Sequence, residues 1–187
     1  MSGKKTANIP DVDLFFSLAG DKKVAEEAFA ELYARYAGRV YAYCYRCTSD
    51  PDEAQDIFQE TFLRFYESAK RVDSMSNVIG FILKISRNLI LNHRRNKKHA
   101  IDIESIELLA GPGALDGSEL LGMLTTALEM LPDDYREAFV LREYEGLSYN
   151  QIAEILDTSL TNVKVRIFRA KQRLRKILSP YLADAAH

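Results

Sequence analysis

Apolar positions recur three and four residues apart along almost the whole chain, which is the period of a helix buried on one face. No strand-like alternation and no internal repeat interrupts them, so the expected fold is all-α. Met1 to Pro10 is polar and uncapped and reads as a mobile start. Asp11 is placed to cap a short apolar helix, Val12 to Leu18, that ends at Gly20. From Lys22, the positions Val24, Ala28, Phe29, Leu32, Tyr33, Tyr36, Val40, Tyr43, Cys44 and Cys47 predict a long amphipathic helix with its aromatics in a core. Ser49-Asp50-Pro51-Asp52 starts the next one, with a cap, a proline in the first turn and acids at the positive end of the helix dipole. That helix buries Ala54, Ile57, Phe58, Thr61, Phe62, Phe65 and Ala69. Arg71 to Asn77 breaks the pattern as a loop, and a helix from Val78 to about Asn96 resumes it, with Phe81, Ile82, Ile85, Leu89 and Ile90 or Leu91 inside.

A composition shift follows. Ala100 to Gly117 is acidic, apolar only in patches and broken by Gly111-Pro112-Gly113, so it reads as a flexible linker in which Ile101 to Leu109 forms at most a local turn of helix. Periodicity returns from Glu119 to Met130 through Leu120, Leu124, Ala127, Leu128 and Leu131. Pro132 opens a helix from Asp133 to Tyr144 with Ala138, Phe139 and Leu141 inside, and Gly146 closes it. The organisation expected is two helical domains, residues 11–98 and 119–179, joined by a linker over 99–118.

The last stretch is the most specific. Ser148 with Gln151 forms a capping box, each side chain satisfying a backbone N–H at a helix start. Apolar Ile152, Ala153, Ile155 and Leu156 follow. Asp157, Thr158 and Ser159 form a turn of about three residues, and Ser159 caps a second helix running to Leu178. That is the outline of a helix-turn-helix. Leu160, Val163, Ile167, Ala170, Leu174 and Ile177 give the second helix its inner stripe.

Charge then changes the picture. The formal net charge is -2, so any polyanion must be met by local clusters. The outer face of the last helix is one such cluster: Lys164, Arg166, Arg169, Lys171, Arg173, Arg175 and Lys176, with no acid among them. A solvated helix normally mixes signs, and this one also carries Thr161, Val165 and Phe168 away from the stripe, suited to thymine methyls in a major groove. The alternative is a basic solvated face with a stray valine and phenylalanine. In the DNA-reading case Thr161, Val165, Phe168 and Arg169 face base edges, and Lys164, Arg166 and Arg173 hold phosphates.

Lys84, Arg87, Arg94, Arg95, Lys97 and Lys98 form a second basic run. Positive charge at a helix C-terminus is stabilising in any protein, yet Asn88, Asn92 and Arg95 lie about one turn apart and line one strip. Acids gather at Asp50, Asp52, Glu53, Asp56 and Glu60, and again at Asp102, Glu104, Glu107, Asp116 and Glu119. Around Leu63, the exposed Gln55, Asp56, Gln59 and Glu60 fit a docking surface and an ordinary solvated face equally. Cys44 and Cys47 are spaced C-x-x-C, but no other cysteine and no nearby histidine completes a zinc site, and they read as buried small apolar residues. No cofactor is expected. The chain has no apolar run long enough for a membrane span and no signal-peptide core, which points to the cytoplasm.

With these residues in hand, the chain from about Asp11 to Leu178 resembles a bacterial RNA polymerase sigma factor of the extracytoplasmic-function group. The matches are Asp52-Glu53-Ala54-Gln55-Asp56-Ile57-Phe58-Gln59-Glu60-Thr61-Phe62-Leu63, then Ile85-Ser86-Arg87-Asn88, then Leu131-Pro132 with Tyr144-Glu145-Gly146-Leu147-Ser148, and finally Val163-Lys164-Val165-Arg166-Ile167-Phe168-Arg169-Ala170-Lys171. Four matches in the family's order are a specific signal. The resemblance implies a sigma-two and a sigma-four domain without a middle domain. It implies core RNA polymerase as partner, with the β′ clamp helices on Asp56, Gln59 and Glu60 and the β flap on sigma-four. It further implies capture of a flipped minus-ten base by the loop holding Val72 and by Asn88, with Asn92 and Arg95 beside it. The last helix is then the minus-thirty-five reader, the linker crosses the polymerase active-site cleft, and an anti-sigma factor holds the protein inactive. The chain departs from the family pattern at Val72, where some relatives place an aromatic, at Phe81, where many place tryptophan, and at Val165, where a small polar residue is common. Its first helical segment is also a few residues longer after Gly20-Asp21.

Two other classes compete. A conventional helix-turn-helix regulator would bind duplex DNA alone, as a dimer on a two-fold site. An enzyme would need a convergent constellation, and His93, His99 and His187 have no carboxylate or nucleophile pattern around them.

Overall fold

The computed structural model describes residues 9–100 and 117–184. Residues 1–8 of the start expected to be mobile, residues 101–116 of the linker expected over 99–118, and the helical turn expected over 101–109 lie outside the described residues. Those described form helices and no strand: α1 (Asp11–Ser17), α2 (Lys22–Thr48), α3 (Pro51–Ser68), α4 (Val78–Ala100), α5 (Gly117–Glu129), α6 (Asp133–Glu143), α7 (Tyr149–Leu156) and α8 (Leu160–Asp184). They group into two compact units, Met1–Leu91 and Asn92–His187.

The first unit is built on α2, which packs on α1 and on α3. Its inner stripe is Ala25, Ala28, Leu32, Tyr36, Val40, Tyr43, Cys44 and Cys47. Val24, expected inside, is 49% exposed, because the stripe is phased on Ala25 one residue later. Asp11 does not cap α1. Pro10 holds the cap position without a side-chain bond, and the Asp11 carboxylate accepts from Arg35 Nη1 at 2.6 Å and from the Tyr36 hydroxyl. Two donors from α2 outcompete a local N–H, so a residue suited to a cap becomes a tertiary link. The α3 start is as its sequence predicts: Asp50 Oδ1 accepts from the Asp52 and Glu53 amides, each at 3.0 Å, with Pro51 in the first turn.

Aromatic rings fill the space between these helices. Phe15 of α1 lies 5.5 Å from Phe65 of α3 and 5.9 Å from Phe81 of α4, in tilted and edge-on pairs. Tyr33, expected inside, is 39% exposed and covers this cluster from its edge, 4.8 Å from Phe62, which is 5.2 Å from Phe58. Such pairs add about 0.5–1.5 kcal/mol each beyond the area they bury. Among them sits one polar node. Thr61 Oγ1 lies 2.7 Å from the Ile57 carbonyl and 3.1 Å from Ser86 Oγ, and Ser86 donates to the Ile82 carbonyl at 3.1 Å. Cys44 of α2 is hydrogen-bonded to the same serine, while burial pushes its thiol up to about 12. Both cysteines are buried.

In the second unit α8 is the spine, packed on α5, α6 and α7. Val163, Ile167, Ala170 and Leu174 are buried as expected, but Leu160 at the head of the helix is 39% exposed. Ala127, Leu128 and Leu131 meet Ala170 and Leu174, with Leu124, Tyr135, Phe139, Tyr144, Ile177 and Leu178 against them. Arg136 Nη2 donates to the Glu129 and Leu131 carbonyls at 3.2 and 3.3 Å, closing the end of α5 with positive charge where the dipole favours it. α8 continues through Pro180, whose ring nitrogen cannot donate to Lys176; the Ser179 hydroxyl donates to that carbonyl instead, at 3.2 Å.

Candidate nucleic-acid interface

Local chemistry sets the two helices of the motif. Ser148 Oγ accepts from the Gln151 amide at 3.3 Å, and Gln151 Oε1 accepts from the Ser148 amide at 2.9 Å, completing the reciprocal cap expected for α7. Gly146, at φ +68, turns the chain out of α6. Arg142 secures the connection by donating from Nη1 to the Leu147 carbonyl at 2.7 Å, its guanidinium 4.7 Å from the Tyr149 ring centroid. α7 ends at Asp157 in the left-handed region, φ 47, and Ser159 Oγ then accepts from the Asn162 amide at 3.2 Å to start α8. Asp157 tolerates that conformation better than most non-glycine residues do.

A helix advances about 100° per residue, so the outward direction of α8, opposite Val163, Ile167, Ala170 and Leu174, is held by Thr161, Val165 and Phe168. Val165 is 40% and Phe168 61% exposed, and Thr161, Lys164 and Arg169 are exposed beside them. Apolar side chains held out in water among cations match a base-reading strip.

α6 adds groups that the sequence pattern did not reveal. On one flank of α8, Arg166 Nη2 lies 2.9 Å from Asp134, Arg169 Nη1 donates to the Tyr135 hydroxyl at 3.2 Å, and the Arg173 guanidinium lies 5.3 Å from the Tyr135 ring centroid. On the other flank, Lys171 Nζ is 2.8 Å from Glu143. The start and the end of α6 thus reach opposite sides of α8, so α6 crosses beneath it. The basic face is not uniform. Arg166 and Lys171 are paired with carboxylates, whereas Arg169 and Arg173 share a neutral tyrosine, and the hydrogen bond to that tyrosine raises the Arg169 pKa further. Asp133-Asp134-Tyr135 looks like an ordinary acidic helix start in the sequence. Only the crossing of α6 and α8 brings it to the cations.

The remaining candidate residues lie elsewhere. Val72 is half-buried in the loop before α4, and Asn77 Oδ1 caps that helix by accepting from the Gly80 amide at 3.0 Å. Along α4, Asn88 and Arg95 are exposed and Asn92 is half-buried, its Oδ1 accepting from Arg95 Nη2. On α3, Asp56 and Gln59 are exposed, and Glu60 accepts from Arg64 Nε at 2.7 Å. Leu63 beside them is 54% exposed, which gives that face an apolar centre with a polar surround.

Two helical units, one ending in a capped helix-turn-helix with a basic outer face, define a helix-turn-helix DNA-binding protein. Comparison with known proteins narrows this. Residues 32–100 match the family described as Sigma-70 region 2, and residues 121–174 match Sigma-70, region 4. The RNA polymerase sigma-H factor of Pseudomonas aeruginosa is 31% identical over 181 residues, covering 89% of this chain and 92% of the relative. The ECF RNA polymerase sigma factor SigW of Bacillus subtilis is 31% identical, covering 84% of this chain and 92% of its own. Among solved structures, the sigma factor RpoE in complex with the anti-sigma factor NepR from Bartonella quintana matches with a TM-score of 0.68 at 27% identity, over 81% of this chain and 96% of that one. The chain belongs to the sigma-70 family of RNA polymerase sigma factors, in its extracytoplasmic-function group. No helix among the described residues is long and apolar enough to cross a membrane.

Proposed function

We propose that this protein binds core RNA polymerase and directs it to promoters carrying a minus-ten and a minus-thirty-five element, and that an anti-sigma factor holds it in check. The observation that carries this reading is the α8 outer face, where exposed Val165 and Phe168 stand among cations on the second helix of a capped helix-turn-helix, in a chain of the sigma-70 family. It acts as a binding subunit and carries no reaction of its own. Residues 11–98 form the sigma-two domain, 99–118 the linker and 119–179 the sigma-four domain.

The roles divide by surface. Thr161, Val165, Phe168 and Arg169 read minus-thirty-five bases, while Lys164, Arg166 and Arg173 hold its phosphates. Arg166 keeps donors for this beyond the one turned to Asp134, because a guanidinium carries five. Asn88, Asn92, Arg95 and the Val72 loop receive the minus-ten element, including a base out of the stack, an excursion of a few kcal/mol that the pocket must offset. Asp56, Gln59 and Glu60 meet the β′ clamp helices around Leu63, and sigma-four meets the β flap. The anti-sigma partner parallels the NepR that accompanies the Bartonella RpoE.

The test is in-vitro transcription by core polymerase on genomic DNA fragments, with and without the protein. Start sites appearing only on addition support the reading. No new starts, together with tight duplex binding by the free protein, would move it to a conventional regulator. On promoters so found, Arg169→Ala is expected to lower transcription mainly where a minus-thirty-five element is present; equal loss on templates lacking that element counts against the assignment.

A further inference from the structure

Tyr135 belongs to α6, outside the helix-turn-helix, yet it is placed against two cations of the reading helix. Its ring packs on the core of the second unit, and its hydroxyl accepts from Arg169 at 3.2 Å while its ring lies 5.3 Å from Arg173. Arg169 and Arg173 are four residues apart on α8, so one aromatic side chain rooted in the core spans both. An exposed arginine has several rotatable bonds, and fixing it on DNA costs side-chain entropy at binding. A partner that holds it beforehand lowers that cost, and a neutral one does so without cancelling its charge. The carboxylates of Asp134 and Glu143, on Arg166 and Lys171, hold their cations but offset them.

We propose that Tyr135 is a positioning residue for DNA recognition, holding Arg169 and Arg173 in the orientation in which they meet the minus-thirty-five duplex. This rests on the proposed DNA-reading role of α8. The hydroxyl sets the direction of Arg169, and the ring supports Arg173. Removing the hydroxyl alone therefore weakens recognition through Arg169 and leaves the fold intact, since the ring keeps its place in the core.

The experiment uses the full chain assembled with core polymerase, on a promoter identified by its new start site, with the minus-thirty-five element intact or base-substituted. Tyr135→Phe, Arg169→Ala and the double variant are compared for promoter affinity, for discrimination against the substituted bases, and for Tm. Tyr135→Phe is expected to bind about three-fold to ten-fold more weakly, the size of one hydrogen bond, with reduced discrimination and an unchanged Tm. In the double variant the tyrosine change should add nothing to the loss from Arg169→Ala, because both remove one coupled unit. Parental affinity in Tyr135→Phe, or losses that simply add, overturns the proposal. A lowered Tm with discrimination unchanged overturns it too and makes Tyr135 a packing residue. If Arg169→Ala itself has no effect on promoters with the element, it is the DNA-reading role of α8 that fails.

Discussion

Two buried protons make this protein's stability fall at high pH. Burial pushes the Cys44 thiol from 9.0 to about 12, and burial with the Asp11 hydrogen bond pushes the Tyr36 phenol from 10.0 to about 12. Both groups are neutral when protonated, so the native state keeps protons that the unfolded chain releases. Their contribution is complete below about pH 9 and falls as pH rises toward 12. Urea midpoints measured across that window should drop, and Cys44→Ala and Tyr36→Phe should each drop less steeply than the parent; a parallel fall in all three would contradict the assignment. At this scale the sequence was legible where a residue's neighbours are local. Cys44 and Cys47 read correctly as buried, from their place on an apolar stripe. Asp11 did not, since a carboxylate beside a helix start looks like a cap until Arg35 and Tyr36 arrive from another helix.

Helix starts and stops were readable because they depend on a few adjacent residues. The Asp50 cap, the Ser148–Gln151 box and the Ser159 cap all form as their spacing predicts. Gly146 closes α6 at φ +68 with open space where a Cβ would stand, so replacing it tests backbone conformation alone. Gly146→Ala is expected to lower stability by about 1 kcal/mol, seen as a lower urea midpoint, and stability unchanged would show that the turn relaxes. What the pattern could not supply was how one helix crosses another. The seven cations of α8 looked unopposed in sequence, yet Asp134 and Glu143 oppose two of them. Periodicity says which face is buried and leaves open what arrives beside it.

For the whole molecule, the separation of surfaces is the testable property. Leu63 is exposed on α3 amid Asp56, Gln59 and Glu60, far in sequence from the α8 strip. Leu63→Asp is expected to reduce core-polymerase binding at least ten-fold in a pull-down titration, about the worth of one well-placed apolar anchor at an interface, with no change in helical content. Binding equal to the parent's would remove α3 from the polymerase interface. The all-α architecture and its two-part organisation followed from a helical period that holds on both sides of an acidic stretch broken by Gly111-Pro112-Gly113. The assignment of that α3 face did not follow, because acids around an exposed leucine have no unique meaning without a relative to compare.

The Thr61–Ser86 pair bears on a different matter, which is how α3 and α4 choose one alignment. Their facing surfaces are largely apolar and aromatic, and such surfaces gain almost as much from packing one turn out of step. Two buried hydroxyls 3.1 Å apart accept only one alignment. A slip of a turn would leave each hydroxyl only the carbonyl of its own helix, Ile57 or Ile82, and would lose the bond between them, costing about 0.5–1.5 kcal/mol. The node therefore acts less as glue than as an index mark, penalising every misaligned pairing and so fixing which residues of α3 and α4 face outward together.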